Sequence, residues 1–115
     1  MATLGDPLAD LGYTLRAWPE IDDDPFLEPT APTAVSGLPL RGELAQRYSE
    51  RTGFPVDLLD YYVGFNHWKT AAILHGVYAR YLAGQKSSEG VDLEALKDGI
   101  LKGLAGAERA ILRLQ

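Results

Sequence analysis

Cysteine is absent from the 115 residues, which excludes a disulfide framework, a thiol nucleophile and a zinc-thiolate site. Positive charge is also scarce. Lys and Arg number 11 against 16 Asp and Glu, for a net charge of −5, so the electrostatic footprint that nucleic-acid binding needs is missing. No nucleic-acid partner is expected. The N-terminal Met1-Ala2-Thr3-Leu4-Gly5-Asp6-Pro7 has no basic region followed by an apolar core, so it does not read as a secretory signal. The longest nearly uncharged run, Tyr61 to Ala79, contains Asn66, His67, Lys69 and His75, a polar load that argues for a buried helix over a membrane span. No membrane partner is expected, and a cytoplasmic location fits.

The usual catalytic constellations are missing as well. There is no Gly-x-Gly-x-x-Gly string, and Gly84-Gln85-Lys86-Ser87-Ser88 has the wrong order for a phosphate-binding loop and follows a helical pattern instead of a strand. His67 and His75 are eight apart on one helix, rotated by roughly 80°, and cannot face one metal ion together. No metal site is expected. Apolar residues at 46% and charged residues at 23% are close to the average for a globular chain, and 115 residues suffice for one domain, 1–115, with a single core.

The acidity belongs to the front third. Residues 1 to 35 hold seven acids against Arg16 alone, whereas the last thirty residues balance at five of each sign. Asp6-Pro7 reads as an N-cap followed by proline at the first helical position, which predicts a helix from Pro7 to about Ala17, ended by Pro19. Residues 19–37, with four prolines and Asp22, Asp23 and Asp24, read as an acidic proline-rich surface loop. The three aspartates suit either solvated charge or a cation or amine site.

Glu43 to Thr52 reads as a short amphipathic helix stopped by Gly53, with Leu40 a poor cap for its start. A longer helix is predicted from near Asp57 to Gly84. At 100° per residue, Tyr61, Phe65, Trp68, Ala72, His75, Gly76 and Ala79 share one apolar stripe, with Val63, Leu74, Tyr78 and Tyr81 nearly opposite. That helix is expected to have partners on both sides, with His75 and His67 as core histidines. Asn66, Lys69 and Arg80 then form its polar side, facing solvent or an acidic-ligand cleft. The last helix, capped by Asp92, carries Leu93, Leu96, Ile100, Leu104, Ala107, Ile111 and Leu114 on one face. Gly99, Gly103, Gly106 and Ala110 beside that stripe suggest close approach of a neighbouring backbone. No alternating strand pattern appears, so the expected class is all-α, with about four helices.

Two stretches carry a resemblance. Thr3-Leu4-Gly5-Asp6-Pro7-Leu8-Ala9-Asp10-Leu11-Gly12-Tyr13 is similar to the segment that follows the metal-binding acidic motif in aminoglycoside phosphotransferase-like kinases. Leu59-Asp60-Tyr61-Tyr62-Val63-Gly64-Phe65, Lys69, Ala72-Ile73-Leu74 and Gly76 through Gly84 resemble a central C-lobe helix of the branch related to acyl-CoA dehydrogenase-associated kinases. The resemblance implies the helical C-lobe of a protein-kinase-like phosphotransferase fold. Intact members use ATP and Mg2+, held by a His-Gly-Asp…Asn loop, an Asp-x-Glu-type motif and an N-lobe. Those parts precede the Gly-Asp-Pro-Leu string in the family, and only four residues precede it here.

On that basis the expected function is a C-terminal fragment of an ATP-dependent small-molecule phosphotransferase, inactive alone, with no catalytic residue and no cofactor of its own. The fragment is then expected to arise by truncation, a late start codon or domain splitting, with Met1 an internal methionine of a longer ancestral frame. The resemblance further implies that Asp6 and Asp10 brace the catalytic loop, Asp10 as a buried acid, and that Tyr61, Tyr62, Phe65 and Lys69 are candidates for the acceptor-side wall. The alternative is a non-catalytic helical interaction module. The expected partner is a separate N-lobe chain, or a second copy bound through exposed apolar surface at Leu4, Leu8, Leu11 and one side of the 57–84 helix.

Overall fold

The described residues of the computed structural model form four helices: α1 (Pro7–Leu15), α2 (Arg41–Thr52), α3 (Leu59–Leu82) and α4 (Leu93–Leu112). It describes residues 4–19, 33 and 35–115, and no strand occurs among them. The all-α class is therefore as expected. Most of the acidic proline-rich stretch 19–37, Asp22 to Asp24 included, lies outside the described residues.

The helix ends follow from local chemistry. Asp6 caps α1 by accepting the Leu8 N–H at 2.9 Å, and Pro7 occupies the first turn where no N–H is needed. Observed α1 stops at Leu15, two residues short of the predicted end. Leu40 offers α2 no side-chain cap, yet the start is secured because Glu43 reaches back to accept the Leu40 N–H at 2.8 Å. Gly53 ends α2 with φ +75, a left-handed conformation that a residue with a Cβ rarely adopts. Asp92 caps α4 by accepting the Ala95 N–H at 3.0 Å.

The centre of the fold is an antiparallel pair, α3 against α4. Asp60 meets Arg113, Gly64 meets Ala110, His67 meets Gly106 and Ala71 meets Gly103, one series rising as the other falls. The seam is close because it is lined by small residues. A Cβ on Gly103 would lie 3.3 Å from that of Ala71, and one on Gly106 would lie 3.1 Å from the His67 ring. The close-approach expectation thus holds at Gly103 and Gly106. It does not hold at Gly99, where a Cβ would meet open space.

The core-facing side of α3 differs from the one expected. The buried residues are Leu59, Val63, Gly64, Asn66, His67 and Ala71, whereas Tyr61, Phe65, Trp68, Ala72, His75, Gly76 and Ala79 are all exposed. His67 is a buried histidine as predicted, but His75 is not. Asn66, expected on the polar side, is 2% exposed because its amide donates to the carbonyls of Ala9 at 3.2 Å and Tyr62 at 2.8 Å. The physical reason lies in α4. Its glycine-lined face closes only on the small side of α3, and the bulky aromatic stripe is left outside.

α1 crosses α3 at Gly12, where a Cβ would fall 2.7 Å from Tyr62 Cβ and 2.9 Å from the Tyr62 carbonyl carbon. α2 joins through Ala45, which clusters with Leu15, Leu59, Val63 and Ala110, flanked by Leu11, Trp18, Leu44 and Val56. Arg41 is 7% exposed and anchors that junction from the first turn of α2.

Candidate functional site

Two places gather polar chemistry. One is the seam of α1 and α3. Cap residue Asp6 uses one carboxylate oxygen for the Leu8 N–H and the other for the Tyr62 hydroxyl, which donates to it across the seam. These two donors hold the Asp6 carboxyl below the usual carboxylate range, the Tyr62 hydroxyl contributing most. The same bond raises the Tyr62 phenol above its ordinary value, since ionisation would set two negative charges side by side. Further along, Tyr13 carries two cations over its ring, Arg16 at 4.8 Å and Lys69 at 5.3 Å from the centroid.

Of the candidate wall residues, Tyr61 and Tyr62 meet edge to face with ring centroids 5.3 Å apart, and Phe65 lies 5.9 Å from Trp68. Tyr62 and Lys69 turn toward α1, while Tyr61 and Phe65 stand on the open side of α3, 50% and 44% exposed. The four candidates therefore divide between two surfaces. Asp6 is tied to α3, but Asp10 is exposed, in contrast to the buried acid expected. Its backbone carbonyl accepts the Thr14 hydroxyl at 3.1 Å.

The second place is an open cleft of about 410 Å³ between α2, the start of α3 and the end of α4. Arg41, Gln46, Ser49, Glu50, Asp60 and Arg113 supply its polar lining. Arg113 Nε donates to Asp60 Oδ1 at 3.0 Å and ties the two helix ends together. Apart from Asp60, which belongs to the Leu59–Phe65 stretch that carries the resemblance, none of these residues was marked by the sequence, and none was a site candidate. A signal for Arg41 does exist: it sits one turn before Ala45 on the apolar side of α2, next to a helix end whose carbonyls need donors.

Among the described residues, no donor set converges on a site for a metal-bound nucleotide. No group of three His, Asp or Glu residues able to hold a metal ion occurs among the described residues. Both Asp6 oxygens are engaged, and Asp92-Leu93-Glu94, which spells Asp-x-Glu, places its aspartate just before α4 as the N-cap. Their position makes those letters a helix start. No described helix is long and apolar enough to cross a membrane.

Across 91 residues, 76% of the chain, the sequence is 37% identical to acyl-CoA dehydrogenase family member 10 of Mus musculus. Over 97 residues it is 32% identical to acyl-CoA dehydrogenase family member 11 of Rattus norvegicus, and over 93 residues 32% identical to the Homo sapiens protein of that name. This chain is homologous to one segment of those proteins. It spans only 8% of the length of the first and 12% of the other two. No protein-family model and no solved structure matches it.

Proposed function

We propose that the chain is the C-terminal helical portion of an aminoglycoside phosphotransferase-like, kinase-type region, of the sort found in longer proteins related to acyl-CoA dehydrogenase family members 10 and 11. The observation that carries this is the homology over three quarters of the chain, coupled with four helices and no strand among the described residues. On this reading the acceptor-side wall uses Tyr61, Tyr62, Phe65 and Lys69, with Asp6 bracing the neighbouring loop. Phosphoryl transfer needs positioned phosphates, metal and lysine electrostatics, and an aspartate to take the acceptor proton. Of these, a group of His, Asp or Glu residues able to hold the metal does not occur among the described residues.

Incubation of the purified chain with ATP, Mg2+ and hydroxyl-bearing acceptors tests half of this proposal. No product above background is expected, and turnover by the chain alone refutes the inactive-fragment assignment. A chimera tests the rest. Replacing the matched segment of acyl-CoA dehydrogenase family member 10 by this chain should give a folded protein, and a chimera that precipitates or is digested at the graft contradicts the assignment.

A second reading, a non-catalytic interaction module, is favoured by one specific feature. Trp68 is 54% exposed beside the half-exposed Tyr61 and Phe65, a contiguous apolar patch of the kind that marks interfaces.

A further inference from the structure

Arg16 and Lys69 come from different helices, yet both lie over the Tyr13 ring, at 4.8 and 5.3 Å from its centroid, so their charges stand within about 10 Å of each other. Neither is neutralised. Acids outnumber bases 16 to 11 in this chain, and Lys102 pairs with Asp98 and Arg113 with Asp60, but no carboxylate forms an ion pair with Arg16 or Lys69 among the described residues. The ordinary duties of such cations do not account for them. Arg16 is the C-cap of α1, where a guanidinium usually serves the terminal carbonyls, but Arg41 and the Trp18 N–H take the Leu15 carbonyl, and Arg41 takes that of Trp18. Its own Nε is enclosed and has no acceptor. Lys69 stands in the middle of α3 with Phe65, Asn66, Ala72 and Ile73 three and four residues away, none of them an acid. Asp10, one turn before Tyr13, is exposed and pairs with neither cation.

We infer that Arg16 and Lys69, gathered by Tyr13 where α1 crosses α3, form a binding site for a phosphoryl group, either free phosphate or a phosphate monoester on a small molecule. One such group carries a charge of about −1.5 to −2 at pH 7 and three acceptor oxygens, enough to neutralise both cations. A carboxylate carries one charge and leaves the second cation uncompensated. The planar guanidinium of Arg16 suits two phosphoryl oxygens, and the ammonium of Lys69 acts as a point charge on the third. The Tyr13 ring holds both side chains beforehand, so less rotamer freedom is lost when the anion arrives. Lys86 is the contrast within the chain: it lies 5.5 Å from the Tyr81 ring with no second cation over that ring, and offers a single charge. Of the polar residues that the sequence placed on one side of α3, Asn66 is buried with its amide already bonded, so the acidic-ligand expectation narrows to Lys69. The inference rests on charge balance and does not depend on the phosphotransferase reading.

Proton–nitrogen correlation NMR of the full chain tests it, with inorganic phosphate, phenyl phosphate and acetate titrated at matched ionic strength. Both phosphates should shift the Arg16 Nε–H signal and the amides of Tyr13, Arg16 and Lys69 saturably, with a Kd of roughly 1–10 mM, while the Lys86 amide stays in place. Acetate should bind about tenfold more weakly. Tighter binding of phenyl phosphate than of phosphate assigns the site to an organic monoester, and equal binding assigns it to phosphate itself. Arg16→Gln and Lys69→Gln should each raise the Kd about fivefold with helix content unchanged by circular dichroism, and Lys86→Gln should leave it as in the wild type. No saturable shift below about 50 mM, an equal response to acetate, or a Kd that neither Arg16→Gln nor Lys69→Gln alters overturns the site. No turnover is measured, so that failure leaves the phosphotransferase reading standing, and a failed chimera leaves the site standing.

Discussion

Arg41, on the first turn of α2, closes the end of α1 by donating from Nε to the Leu15 carbonyl at 3.1 Å and from Nη2 to the Trp18 carbonyl at 2.7 Å. The last carbonyls of a helix have no intrahelical donors and carry its partial negative charge, so a buried guanidinium is well matched to them. Trp18 reinforces the junction, its indole N–H reaching the Pro39 carbonyl at 2.8 Å. Replacing Arg41 by Met keeps the apolar stem but takes the guanidinium donors from the part-buried Trp18 carbonyl and leaves the Leu15 carbonyl with the Trp18 N–H. Arg41→Met should therefore cost about 2–4 kcal/mol. Urea unfolding monitored by circular dichroism checks this; a loss under 1 kcal/mol would show that the guanidinium is not what joins α1 to α2.

Gly12 and Gly99 are both helical glycines with opposite surroundings. Adding a methyl at Gly12 places it 2.7 Å from Tyr62 Cβ and 3.1 Å from the Val63 backbone nitrogen, atoms that cannot move without shifting α3. Gly12→Ala should destabilise by about 1–3 kcal/mol. At Gly99 the methyl meets open space, and Gly99→Ala should stabilise by up to about 1 kcal/mol through helix propensity. The same denaturant titrations read both signs, and two shifts of like sign would refute the assigned packing.

What was legible in the sequence was whatever local chemistry decides. Asp6, Gly53 and Asp92 cap or stop their helices because a side-chain oxygen or a left-handed backbone acts within a few residues, and the positive φ of Gly84 just beyond α3 belongs to the same class. The orientation of α3 was not legible. Hydrophobicity alone ranks Tyr61, Phe65 and Trp68 as core, but which face is buried depends on α4, and Gly103 and Gly106 dock only where α3 offers His67 and Ala71. Asn66 was misplaced for a related reason: its acceptor is the Ala9 carbonyl, 57 residues away in the chain. For the candidate site, the Asp6-Tyr62 link joins two residues the resemblance had picked, whereas the Asp60-Arg113 pair depends on the α3-α4 register and left no local trace.

The buried apolar set is thin for the chain length. Among the described residues it comprises Leu15, Ala45, Leu59, Val63, Ala71, Ile100 and Ala110, three of them alanines, while Phe65, Trp68, Ile73 and Leu82 stay exposed. A fully cooperative domain of this length unfolds with an enthalpy of about 80 kcal/mol near 60 °C. The monomer, measured at low micromolar concentration, should show a broad transition with a van't Hoff enthalpy below about 50 kcal/mol. A sharp calorimetric peak carrying the full enthalpy would contradict this.

The bond from the Tyr62 hydroxyl to Asp6 makes stability depend on pH at both ends of the scale. Asp6 has a folded pKa below its unfolded value, so its contribution is present above about pH 4 and lost as pH falls through the lowered folded pKa. Tyr62 has a folded pKa above its unfolded value, so its contribution is complete below about pH 10 and lost as pH rises through the raised one. Tyr62→Phe removes the hydroxyl and keeps the ring. The variant should lose less stability than the wild type between pH 6 and pH 3, and again between pH 9 and pH 11. Its Asp6 carboxyl, followed by NMR, should titrate at higher pH than in the wild type, though the Leu8 N–H still holds it down. Parallel stability curves for the two proteins, or an unmoved Asp6 titration, would show that the hydroxyl and the carboxylate are not coupled in solution.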